Sequence, residues 1–204
     1  MKSFSSLFIL STIGLYFLIC LSFEEPKNLE VLERLDSIFL SEERFIVTGK
    51  PKVWYVYLLG LFYFLDEVAF LKAAKRLHLP NRIKKLLYED RTHCRKSLEK
   101  LMPKKNCGPV EIYHAFENLS VEGVVFLMAL SSTDRINKYV NIYFTQFQGR
   151  MKPSLTGNDL AKMGVEPGPV FKLILNALRE ARVEGSVKSR EEEIALVEER
   201  FLKP

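Results

Sequence analysis

Between residues 72 and 105 the chain places twelve basic side chains, Lys72, Lys75, Arg76, Arg82, Lys84, Lys85, Arg91, Arg95, Lys96, Lys100, Lys104 and Lys105, against three acids, Glu89, Asp90 and Glu99. This segment carries a net +9, whereas all 204 residues carry +5, so the remainder is mildly negative. Cations concentrated in this way are the electrostatic footprint of a polyanion partner, because each neutralised phosphate releases condensed counterions. The competing reading is a solvated helix face, the usual fate of a charge run. The density of this run, with Tyr88 at hand for stacking, favours phosphate binding, and Lys84, Lys85, Arg91, Arg95 and Lys96 are the contacts to expect.

Other chemistry is poorly supported. Cys20, Cys94 and Cys107, with His93 and His114, form no C-x-x-C or H-x3-H spacing that would close a tetrahedral metal site. Three cysteines make no disulfide framework. No catalytic residue and no metal ligand is expected.

Helices must position the cations. With 48% hydrophobic and 27% charged residues the chain can bury a core, as one domain or two small ones sharing a seam. Downstream of Pro26 apolar residues recur at i, i+3, i+4, and no alternating run reads as a sheet, so the class is all-α. Helices are expected over residues 28–40, 52–65, 67–77, 82–102, 109–118, 121–131 and 133–147. Residues 52–65, with Trp54, Tyr55, Leu58, Leu59, Phe62 and Phe64, read as a central core helix. Pro80 should stop the third helix, and Asn81 should cap the basic one. In that helix Ile83, Leu86, Leu87, Cys94, Leu98 and Leu101 should point inward and the basic residues outward.

A composition break at residues 149–153 divides a multi-helix body, residues 24–149, from a small helical tail domain, residues 150–204. The tail is densely punctuated. Thr156 with Asp159 reads as a helix start, Gly164 as its left-handed stop, and Pro169 as the first residue of a helix that buries Phe171, Ile174, Leu175 and Leu178 and ends at Gly185. Ser189 and Glu192 make a capping box ahead of residues 194–202. The turn at residues 164–169 has two readings: a structural αα-turn, or a glycine turn that presents a helix N-terminus to a phosphate.

Taken in order, Ser154-Leu155-Thr156-Gly157-Asn158-Asp159-Leu160, then Met163-Gly164-Val165-Glu166-Pro167-Gly168-Pro169, then Glu184-Gly185-Ser186-Val187 closely resemble the tail of bacterial tRNA nucleotidyltransferases, the CCA-adding and poly(A) polymerase family. There the signatures T-G-x-D-L, G-x-x-P-G-P and E-G-x-[VI] follow one another in this order. The resemblance is strong after Lys152 and more diffuse over the body. It implies tRNA as partner, with Lys152, Lys162, Lys172, Arg179, Lys188 and Arg190 as the tail's RNA contacts. The family's chemistry belongs to a head with a Gly-Ser turn and an Asp-x-Asp pair that binds two magnesium ions. No Asp-x-Asp occurs in this sequence, so the resemblance implies that magnesium and ATP or CTP belong to a head outside it. Glu89-Asp90-Arg91 superficially resembles the family's Glu-Asp-x-x-Arg nucleotide template, but it lies in the body region and that role is not carried over.

The expectation is therefore a tRNA-binding body and tail without its own head. The alternatives are a subunit of a split nucleotidyltransferase completed by a separately encoded head, and a non-functional gene fragment. Residues 1–23 form an apolar N-terminal segment, with no charge from 4 to 23. It has three readings, as a signal peptide, a membrane helix or a buried helix, with membrane or export together even with burial. The expected location is cytoplasmic, with membrane association or export through that segment as the alternative.

Overall fold

A computed structural model describes residues 26–40, 51–104, 106–131 and 133–202; the readings of residues 4–23 lie outside these. Among the described residues the chain is all α-helical, with no strand. The body comprises α1 (Pro26–Leu40), α2 (Val53–Tyr63), α3 (Glu67–Arg76), α4 (Asn81–Leu101), α5 (Pro109–Phe116), α6 (Val121–Leu130) and α7 (Asp134–Ile142), which a π-helical turn, Tyr143–Phe147, extends. Beyond Gly149 follow α8 (Gly157–Lys162), α9 (Pro169–Glu184) and α10 (Arg190–Val197), the last extended by Glu198–Leu202.

Two helices without a polar face occupy the centre. Every residue of α2 from Tyr55 to Tyr63 is buried, as is every residue of α6 from Gly123 to Ala129. A helix apolar all round is stable only when neighbours enclose it, and α1, α3, α4 and α7 do so with their apolar stripes. A second apolar cluster of Leu155, Leu160, Val165, Ile174, Leu178 and Val197 holds α8, α9 and α10 together. Val183 of α9 turns away from it and joins the body cluster, against which Met151 also packs.

Three helices end alike. His78 after α3 (φ 49°), Gly164 after α8 (φ 91°) and Gly185 after α9 (φ 78°) are left-handed. In each case the next amide returns to a carbonyl five residues back: Leu79 to Ala74, Val165 to Leu160, and Ser186 to Ala181. The end of α3 is thus set by His78, a residue type that tolerates this conformation less well than glycine, and Pro80 acts one step later. Pro80 (φ −57°, ψ 147°) itself occupies the cap position of α4, which corrects the expectation for Asn81: the asparagine is already helical, and no side chain caps the helix.

The inward and outward assignment of α4 also needs correction. Leu86 is 38% exposed, whereas Asp90 and Arg91 are buried at 4% and 5%. Both charged residues share the row of Leu87, Cys94 and Leu101, and both have partners inside. The Asp90 carboxylate accepts from Tyr55 Oη and Ser120 Oγ, each at 2.8 Å. Burial first, then the charge of Asp90 and its hydrogen bond, push the Tyr55 phenol far above its ordinary value. Arg91 donates to the Leu65 carbonyl, and its guanidinium lies 4.7 Å from the centre of the Phe70 ring. One turn on, Arg95 donates to the Tyr63 carbonyl at 2.8 Å. The two arginines thereby satisfy carbonyls left open where α2 ends, the negative pole of that helix.

Candidate nucleic-acid interface

α4 is 21 residues long and carries the densest run of cations. At about 100° per residue, Arg82, Lys85, Lys96 and Lys100 fall within one sector of roughly 60°, and all four are exposed. Glu89 lies among them, with Oε1 3.8 Å from Lys85 Nζ. The other flank holds half-buried Lys84, buried Arg91, and Arg95, exposed but anchored through the Tyr63 carbonyl. The expected contacts Lys84, Lys85, Arg91, Arg95 and Lys96 therefore do not share a face. Arg82 and Lys100, which are not among the expected contacts, share the face of Lys85 and Lys96, as the spacing 82, 85, 96, 100 implies.

Burial, and then the neighbouring Arg95, lower Arg91 to about 10, which still leaves it charged at neutral pH. Between the two flanks Tyr88 is 52% exposed. It borders a cleft of about 240 Å³ with Phe64, Asp66, Glu67, Thr92 and the two arginines. Lys72 and Lys75 on α3 are exposed as well.

In the tail, Lys152, Lys162, Lys172 and Lys188 are exposed. Arg179 and Arg190 have work within the protein. Arg179 Nη1 is 3.8 Å from Glu117 Oε2. Arg190 donates to Ser154 O at 3.0 Å and to Asp159 Oδ1 at 2.8 Å. The other oxygen of Asp159 accepts from Thr156 N at 2.8 Å and Thr156 Oγ1 at 2.6 Å. These bonds from Thr156, then Arg190, hold the Asp159 carboxyl well below the usual carboxylate range. Behind them Glu193, fully buried, accepts from Ser154 N at 3.0 Å, Leu155 N at 2.8 Å and the Arg182 guanidinium. The segment leading out of the linker is thus clamped to the starts of α8 and α10. Pro169 begins α9 without a side-chain cap.

Among the described residues no group of three His, Cys, Asp or Glu side chains could hold a metal ion, and no step through magnesium or a nucleotide is assigned to them. Nor is any described helix long and apolar enough to cross a membrane.

No protein-family model matches the chain. Over 175 residues, 84% of its length, it is 27% identical to an A-adding tRNA nucleotidyltransferase of Geobacter sulfurreducens, of which it covers 20%. An enzyme of the same name from Halalkalibacterium halodurans is 30% identical over 73 residues, 36% of this chain and 17% of that protein. The fold is shared with solved CCA-adding enzymes. One from Thermotoga maritima, complexed with tRNA, superposes with a TM-score of 0.70 at 17% identity over 94% of this chain and 46% of its own. Another, with ATP, gives 0.71 at 16% identity over all of this chain and 48% of its own. The resemblance read from the tail signatures thus extends over most of the sequence, and the chain spans about a fifth of the curated relatives and about half of the solved ones.

Proposed function

We propose that this chain is the tRNA-gripping body and tail of a CCA-adding or A-adding type of nucleotidyltransferase, acting in the cytoplasm. The observation that supports this best is the exposed stripe of Arg82, Lys85, Lys96 and Lys100 on α4, set in a fold that matches a CCA-adding enzyme complexed with tRNA. The grip works on the backbone. Cations along one helix face contact successive phosphates of the acceptor and TΨC arms without reading bases, so recognition follows duplex shape. Lys152, Lys162, Lys172 and Lys188 supply a second set of contacts from the tail. Nucleotide addition itself is assigned to a head that supplies two magnesium ions and the ATP or CTP site. A second arrangement, with that head encoded separately and docking in trans, is also proposed.

The test is a salt titration of tRNA binding by fluorescence anisotropy. Lys85→Glu/Lys96→Glu/Lys100→Glu leaves the buried row of α4 intact. It should weaken binding more than tenfold, about 1.4 kcal/mol, and flatten the salt slope. Identical curves for the triple variant and the wild type would overturn the reading. A purified head that restores incorporation only in the presence of this chain would establish the split arrangement.

A further inference from the structure

We infer that His114 is a proton-operated clasp between body and tail, holding α9 against α5 as an imidazolium and releasing that hold as a neutral ring. On α5, His114 Nδ1 lies 2.7 Å from Glu117 Oε1 one turn on, and Nε2 lies 2.9 Å from Glu180 Oε1 on α9. A neutral imidazole carries a single N–H, so it can donate to one carboxylate and must turn a lone pair on the other. Only the doubly protonated ring satisfies both contacts. The pair is thus a geometric statement about charge before any titration is considered.

The surroundings fit that statement. Arg179, beside Glu180 on α9, brings Nη1 to 3.8 Å from Glu117 Oε2. Two carboxylates then face two cations when the ring is charged, and one cation when it is not. The other titratable groups packed here are phenols. Burial raises both Tyr113 of α5 and Tyr143 of the π-helical turn, so they stay neutral through the physiological range. Burial by itself lowers His114, but the hydrogen bonds to Glu117 and Glu180 more than offset it and leave the ring above its ordinary value. The sign follows. A group raised on folding contributes its full stabilisation below about 6.5, the unfolded value, and loses it as pH climbs through the higher folded value. The clasp is therefore shut in mildly acidic solution and yields on the alkaline side. Val183 and Met151 still tie the tail to the body core at any pH, so deprotonation loosens the seam without separating the two parts.

The linker provides a readout in the full chain. Arg150, just after left-handed Gly149 (φ 72°), is exposed and donates to Thr145 O at 2.7 Å, and trypsin should cut there faster when the seam loosens. Nicking of wild type and His114→Gln is compared at each pH, so that the protease's own pH dependence cancels. The variant should be cut about fivefold faster at pH 6.5 and at the same rate at pH 9. In parallel, proton NMR of the histidine rings, with His114 assigned by its loss in the variant, should show it titrating above 6.5. Glu180→Gln, a change at a half-exposed side chain, should bring it back down. A constant nicking ratio across pH would overturn the inference, as would a His114 titration at or below 6.5. Should His114→Gln fail to fold, the His114 titration in wild type against Glu180→Gln decides alone, an unchanged value counting against the clasp.

Discussion

Asp90 and Arg91 show why a charge count overstates a charged surface. Both lie within the basic stretch of residues 72–105, yet both are buried. The clue was present in the helical register, because positions 87, 90, 91, 94 and 101 make one row and a charged residue in an apolar row has to be paired inside. What the sequence did not disclose was the partners, Tyr55, Ser120 and the Leu65 carbonyl, which lie far along the chain. Asp90→Ala would strand the buried Tyr55 hydroxyl and take the acceptor from the half-buried Ser120 hydroxyl. At about 1–3 kcal/mol for each unpaired group, it should destabilise the protein by several kcal/mol in urea unfolding, whereas Tyr55→Phe, which removes one donor, should cost about 1 kcal/mol. Equal effects of the two would mean that Asp90 does not organise this cluster.

Element by element, most of the body was legible. α2 and, but for Glu122, α6 announce themselves by apolar composition, and the helices that begin at Thr156 and Ser189 start where their residues suggest. The failures share a cause: a backbone conformation not tied to the usual residue type, as with left-handed His78 or Pro80 in the cap position of α4. Packing between helices was equally hidden. Gly123, in the first turn of α6, looks replaceable, since alanine favours helix by about 1 kcal/mol. A Cβ there would stand 3.0 Å from Asp90 Oδ1 and 3.3 Å from Ser120 Oγ, both held by hydrogen bonds. Gly123→Ala should therefore lower stability by about 1–3 kcal/mol despite its better propensity, measured by thermal melting. A stabilised variant would show that α4 and α6 have room to part.

At the scale of the whole molecule the signatures of the tail carried the resemblance, while the body, whose pattern is generic amphipathic helix, was readable as a class but not as a particular arrangement. The seam was invisible in the sequence, because His114 and Glu180 stand 66 residues apart and neither spacing nor composition joins them. The tail has an apolar cluster of its own beside that of the body. Glu193→Ala removes the buried acceptor shared by Ser154, Leu155 and Arg182. Breaking such a buried pair costs about 3–5 kcal/mol, and the loss should fall on α8 to α10. Calorimetry should then resolve a low-temperature transition for the tail beside a nearly unchanged one for the body. A single transition shifted as a whole would show that the clusters unfold together.

The carbonyl-directed arginines have a chemical corollary. Arg34 donates to Ala129 O at the end of α6, Arg91 and Arg95 donate at the end of α2, and Arg135 reaches Met102 O beyond α4. Arg182 and Arg190 secure the tail. Guanidinium suits this work, since its planar fork can reach several acceptors at once. Arg76, Arg82 and Arg200 are exposed as well, but most of the exposed cations are lysines. Fold and surface therefore draw on different functional groups. Acylation of amines would strip the surface of most of its positive charge and leave the helix ends fastened, whereas a dicarbonyl reagent that reached the guanidiniums would attack the fastenings themselves.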